Sequence, residues 1–257
     1  MRVRARFTKL GKVRFTSHRD VARMWERALR KAAVPIAYTE GFSPRPKLHF
    51  GLALGTSYES MAEYLDIDLD PSRLGAARPD ESGFGGHACP ALVGPDLAGL
   101  GGDVSAALPE GVDVTALAEL EPGSLSLQQA VTSCTWRIEL DGAPEGRLDR
   151  AVDAALRAPE LIVTRERKGQ RVTDDLRPFI LSLRVETAPS GRPALLAELG
   201  TQPRAVRPPE LLAVIDGDLA ERAVCRLQQW ITHEGARCEP LVAAADATRV
   251  RTLVPDR

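Results

Sequence analysis

Polar and apolar residues alternate strictly over residues 2–7, Arg-Val-Arg-Ala-Arg-Phe. That is the period of a strand with Val3, Ala5 and Phe7 on one face and Arg2, Arg4 and Arg6 on the other, so a strand is predicted over 1–8. After Gly11 a second short run, Val13-Arg14-Phe15, leads into Ser17-His18-Arg19-Asp20. Ser17 with Asp20 three residues on has the pattern of a capping box, which starts a helix at His18. The helix must stop before Pro35, because a proline pushes the preceding residue out of helical angles. At about 100° per residue, Val21, Ala22, Trp25, Ala28, Leu29 and Ala32 gather on one side. Arg19, Arg23, Arg27 and Arg30 gather on the other, with Asp20 and Glu26 as the nearby counter-charges.

Further along, strands are expected at about 36–40, at 47–54 and at 62–69, where Glu63, Leu65, Ile67 and Leu69 partly alternate. Residues 71–95 are rich in Gly, Pro and Ala without periodicity and read as a surface insertion. A weak helix over 96–107 and a strand over 111–120 complete a first half, and a short helix over 124–132, opened by Ser124, follows. A second half opens on the alternating strand Thr135–Leu140, followed by a helix over 147–157. The stretches 161–167 and 179–186 bracket a turn near Lys168-Gly169, and a strand over 194–199 precedes a helix over 209–215 opened by Pro208-Pro209. Strand–helix–strand–strand twice over predicts an α+β fold of two ferredoxin-like (βαββ-type) halves with antiparallel sheets. The expected domains are 1–122, 123–216 and a variable tail over 217–257 that holds an amphipathic stretch at 219–231.

Charge changes the picture of the first half. Residues 1–50 hold thirteen Lys and Arg against three Asp and Glu, whereas the whole chain carries a formal charge of −1. All the excess positive charge therefore sits at one end, a pole suited to an anionic partner, nucleic acid above all. Within it, Tyr38 to Phe50 forms a stiff loop. Gly41 permits positive φ, and Pro44 and Pro46 fix φ and withhold two backbone donors. Arg45 and Lys47 offer phosphate contacts, while Tyr38, Phe42 and Ser43 offer stacking, anchoring and a hydroxyl. A solvated helix face and a proline-rich connection with inward aromatics are the plain alternatives for these two segments.

Arg14-Phe15-Thr16-Ser17-His18-Arg19-Asp20, Tyr38 through Pro46, Glu63-Tyr64-Leu65-Asp66, Leu108-Pro109-Glu110-Gly111 and Asp175-Leu176-Arg177-Pro178-Phe179-Ile180 form a distinctive set. Together they resemble the radical-SAM-associated family of unknown function, whose members stand alone or extend B12-binding-type radical SAM proteins at the C-terminus. The resemblance covers roughly 1–215 apart from a stretch in the 70s to 90s. It implies a radical SAM enzyme as partner and an RNA-related context. It names no reaction.

At 257 residues and 44% hydrophobic, the chain can bury one large core or two modest ones. No apolar run reaches the length of a membrane span, no signal peptide is seen, and Cys89, Cys134, Cys225 and Cys238 are scattered as in a cytoplasmic protein with free thiols. Three closely spaced cluster cysteines are missing, so no cofactor is expected and radical chemistry would belong to another polypeptide. The spacing of Cys225, His233 and Cys238 fits no zinc pattern, and no metal is expected. Gly83-Phe84-Gly85-Gly86 lacks the flanks of a phosphate loop. Glu59, Glu63, Asp66, Asp68 and Asp70 read as an exposed acidic strand face. Asp175 and Arg177 read as a hydrogen-bonded turn lock or a second site, and the basic residues around Lys168 as a solvated turn.

The sequence thus predicts an RNA-binding or substrate-presenting accessory protein. Arg19, Arg23, Arg27, Arg45 and Lys47 would hold phosphates, with Tyr38, Phe42 and Ser43 beside them. One alternative is a metal-independent RNA-processing endonuclease with His18 as general base, by analogy with other ferredoxin-like RNA enzymes. Another is a protein–protein adaptor without nucleic acid.

Overall fold

The computed structural model describes residues 1–73, 97–142, 146–167 and 169–241. Most of the insertion expected at 71–95 lies outside the described residues. So do Gly83 to Gly86, Cys89, Lys168 and the chain from residue 242. No helix among the described residues is long and apolar enough to cross a membrane.

The chain forms two units, one of residues 1–56, 63–128 and 240–257, the other of 57–62 and 129–239. In the first, the N-terminal alternation makes β1 (Arg2–Lys9). The capping box forms as the sequence predicts: the Asp20 amide donates to Ser17 Oγ at 3.3 Å and the Ser17 amide to Asp20 Oδ2 at 3.1 Å. It opens α1 (His18–Lys31), which buries Val21, Trp25, Ala28 and Leu29. Trp25 meets Phe7 of β1 edge-on, with ring centroids 5.0 Å apart. Ser17→Ala removes the cap acceptor and is expected to cost about 1 kcal/mol, read as a lower urea midpoint at unchanged slope.

The first unit continues with β2 (Leu48–Phe50), β3 (Glu59–Asp68), α2 (Leu97–Ala107) and β4 (Val114–Glu119). Its sheet runs β4-β1-β3-β2. β4 is antiparallel to β1 and β2 to β3, and the ion pairs Arg2–Asp68 and Arg4–Asp66 run in opposite senses along β1 and β3, as antiparallel neighbours require. This is the 4-1-3-2 order of a ferredoxin-like βαββαβ unit. Between β1 and β4, the Leu10 amide donates to Gly111 O at 2.8 Å. Gly111 has φ +90°, and a Cβ there would collide with the Leu10 carbonyl, so the turn after Leu108-Pro109-Glu110 requires glycine. The strand expected at 36–40 is reduced to two isolated bridges, Ile36–Leu69 and Tyr38–Pro46, and the one expected at 47–54 to the three residues of β2. Pro35, Pro44 and Pro46 withhold the donors that a longer ladder needs.

A single helical turn, α3 (Leu127–Ala130), precedes the second unit: β5 (Val131–Asp141), α4 (Arg147–Arg157), β6 (Ile162–Arg167), β7 (Gln170–Asp175), β8 (Ile180–Thr187), β9 (Pro193–Gly200), α5 (Pro208–Ile215), β10 (Ala220–His233) and β11 (Ala236–Cys238). Its main sheet runs β10-β5-β9-β8 with antiparallel pairs, again 4-1-3-2, and β11 adds to β10. Both units are therefore ferredoxin-like, as predicted. The stretches 161–167 and 179–186 do not bracket one turn. The stretch 162–167 pairs with 170–175 as a separate hairpin, and β8 pairs with β9. The stretch at 219–231, placed in a variable tail, is the strand that completes the second sheet. The first residues of β3 belong to this unit: Glu59 and Ser60 pair in parallel with Cys225 and Arg226 of β10. Tyr58 donates its hydroxyl hydrogen to the Glu221 carboxylate, 2.8 Å from one oxygen and 2.9 Å from the other, and Gln229 Nε2 donates to Ala62 O at 2.7 Å.

Candidate nucleic-acid interface

The basic pole is smaller than its residue count. Arg4 is 3% and Asp66 2% exposed. The guanidinium donates through Nε to Asp66 Oδ1 at 2.6 Å and through Nη2 to Oδ2 at 2.8 Å, and Nη1 donates to Pro240 O at 2.9 Å. Arg2 pairs with Asp68, to which His49 Nε2 also lies 3.3 Å away. Burial alone would raise the Asp68 carboxyl, but Arg2 and His49 outweigh it and hold it below the usual carboxylate range. The stretch read as an exposed acidic face is thus in part the internal counter-charge of β1. β1 and β3 are neighbours in the sheet, and Asp66 faces Arg4, not solvent.

What remains exposed lies on α1 and the following loop. Arg19, Arg23, Arg27 and Arg30 are all exposed along the helix side opposite Trp25. Arg23 makes a loose 3.6 Å pair with Asp20. Hydrogen bonds from Ser17, and to a lesser extent the charges of Arg23 and Arg19, hold the Asp20 carboxyl below its ordinary value. Arg19, Arg27 and Arg30 form no ion pair with another described residue. Four guanidinium groups on one helical face, three of them in no ion pair among the described residues, form a strip suited to a polyanion.

The loop is closed at its base. The Thr39 amide donates to Arg45 O at 2.9 Å, the Arg45 amide to Thr39 Oγ1 at 3.0 Å, and the Lys47 amide to Ala37 O at 2.9 Å. Gly41 takes φ +118° at the bend. Phe42 is fully exposed, Ser43 and Arg45 are exposed, Tyr38 is partly exposed, and Lys47 is half-buried. The aromatics therefore do not pack inward. No hydrogen bond or ion pair joins this loop to the arginine strip among the described residues.

His18 is exposed at the first position of α1, edge-on to Phe50 with centroids 5.0 Å apart. It shares the lining of a small surface concavity with Lys9, Glu63 and Tyr64. Asp175 and Arg177 lie in the second unit and lock a turn. Asp175 Oδ1 accepts from the Leu161 amide at 2.7 Å and the Arg177 amide at 2.9 Å, while Arg177 Nη2 donates to Leu156 O at 3.0 Å. The basic hairpin nearby is partly neutralised, since Arg165 pairs with Asp174 at 3.0 Å.

Two residues escaped the sequence reading. Lys9 is 3% exposed, and the period-two pattern of Val3, Ala5 and Phe7, extended one step, places it inward. Phe15 is 59% exposed although it sits in a hydrophobic run. Residues 11–15 form a 3₁₀ turn, in which Val13 and Phe15 point different ways.

Residues 2–79 and 96–208 match the family described as an uncharacterized protein conserved in bacteria (DUF2344). The matched segments take in α1, the loop after it and the turn at Asp175 and Arg177. No curated protein matches the sequence significantly.

Proposed function

The chain belongs to the bacterial DUF2344 family, and we propose that it is an RNA-binding accessory protein whose first unit presents RNA to a radical SAM enzyme. The observation that carries the RNA part is the α1 arginine strip, exposed and holding one loose ion pair among the described residues, in a chain whose net charge is −1. Arg19, Arg23 and Arg27 hold phosphates from the helix, Arg45 and Lys47 hold them from the loop, and Phe42 and Tyr38 supply aromatic surface, with Ser43 next to Phe42 in the chain. The radical SAM partner rests on the sequence resemblance. The chain's role in such a pair is to bind and orient RNA while the partner supplies the radical chemistry. Binding of total cellular RNA by the purified chain tests the RNA reading. Affinity should fall steeply with salt and be lost on charge reversal in α1 and the loop, and binding indifferent to both would contradict it.

A second reading, metal-independent RNA cleavage, is favoured by one observation: His18, Lys9 and Glu63 line the same concavity. It requires RNA cleavage that persists in EDTA and disappears in His18→Ala. Cleavage unaffected by that substitution, or absent altogether, rejects it.

A further inference from the structure

Phe15 has no part in the hydrophobic core of the first unit, yet its backbone is held on both sides. Lys9, almost fully buried, donates from Nζ to Arg14 O at 3.2 Å and to Thr16 O at 3.0 Å, the carbonyls that flank Phe15. The Thr16 amide donates to Val13 O at 3.0 Å and closes the turn. Burying an ammonium group is costly unless its hydrogens are taken up. Here the buried lysine fixes a short turn that carries an exposed aromatic ring. The Arg14 guanidinium lies over that ring, 4.8 Å from its centroid. Even with the guanidinium against the ring, the residue stays 59% exposed.

We propose that Phe15, backed by Arg14, is a stacking platform for an unpaired base, so that the RNA taken by this face is single-stranded. The inference rests on the RNA-binding reading and adds the strand form of the ligand. An extended chain of four residues spans at most about 14 Å, so Phe15 lies close to Arg19, the first guanidinium of the strip. Aromatic surface beside a basic track is the combination by which proteins hold single strands: bases stack on the ring while cations follow the phosphates. A duplex keeps its bases stacked on one another and offers this ring none. A turn already rigid before binding leaves little ordering cost to be met on association. The neighbouring positive charge favours RNA over an apolar protein surface as occupant.

The test compares a short single-stranded RNA with the duplex of the same sequence by fluorescence anisotropy, across a salt series, for the wild type, Phe15→Ala and Phe15→Trp. The single strand should bind more tightly than the duplex. Phe15→Ala should weaken it about 5- to 150-fold with the salt slope unchanged, and Phe15→Trp should keep the affinity. Thermal melting of the variants checks that the exposed substitution leaves the fold intact. Equal affinity for duplex, or salt-steep RNA binding untouched by Phe15→Ala, overturns the platform while leaving the arginine strip standing. A Phe15 effect confined to a complex with a protein partner overturns it in favour of a protein-docking peg. Failure of every RNA to bind overturns both readings.

Discussion

Arg4→Ala is expected to remove about 3–5 kcal/mol of stability from the first unit, a large share of the 5–15 kcal/mol typical of a domain. The reason is burial and not the ion pair as such. Asp66 is as buried as its partner, and without the guanidinium its charge has no adequate replacement. The Pro240 carbonyl loses its Nη1 donor as well. Arg2→Ala, which breaks the pair with Asp68 at a site where the arginine side chain is 41% exposed, should cost no more than about 1 kcal/mol, because solvent screens the charge left behind. Urea denaturation of the two variants decides between these magnitudes. The double variant Arg4→Met/Asp66→Leu should recover most of the loss of Arg4→Ala, since an apolar pair leaves no buried charge. A cost for Arg4→Ala as small as that for Arg2→Ala would contradict the assignment of this pair to the interior.

Arg23→Glu/Arg45→Glu is expected to lower affinity for single-stranded RNA about 60-fold at about 50 mM salt. Each lost phosphate contact forgoes about 0.7 of a released counterion, or about 0.9 log unit at that salt, and two contacts are lost. The pair takes one residue from the helix strip and one from the loop, so the full effect requires both segments to meet the same ligand. Neither side chain packs in the core, and a glutamate at position 23 has Arg19 and Arg27 one turn away on either side, so stability should be nearly unchanged. Only half of the logarithmic loss would mean that loop and helix do not share one RNA. Anisotropy titrations of the two single variants alongside the double resolve the two contributions.

Much of the first unit was legible because local signals agreed with one another. The alternation over 2–7, the Ser17–Asp20 box and the helical spacing of Val21, Trp25, Ala28 and Leu29 each specify a short segment without help from the rest of the chain. The order of elements then led to the ferredoxin-like halves. What stayed hidden depends on distant partners or on broken periods. Arg4 and Asp66 looked like solvent-facing charges, because their pairing exists only once β1 and β3 lie side by side, 62 positions apart in sequence. β10 did not read as a strand because its register against β5 shifts at three places, between Glu221 and Ala223, Arg226 and Gln228, and Trp230 and Ile231. Each irregularity resets the period of two on which a strand is recognised. β7 was missed since Gln-Arg-Val-Thr-Asp-Asp contains a single large apolar residue. In the candidate site, the exposure of the α1 arginines followed from helical geometry. The exposure of Phe15 did not, because a 3₁₀ turn and a strand place Val13 and Phe15 in different relations.

The proposed function requires the first unit to neutralise RNA phosphates with the helix and loop cations. The most direct measurement is the affinity of the purified wild-type chain for a short single-stranded RNA over a range of salt concentrations. Contacts from Arg19, Arg23, Arg27, Arg45 and Lys47 predict a slope of log affinity against log salt of about −3.5, falling to about −2.1 in Arg23→Glu/Arg45→Glu. A slope near zero, or one that the charge reversals leave unchanged, would contradict RNA binding by this face.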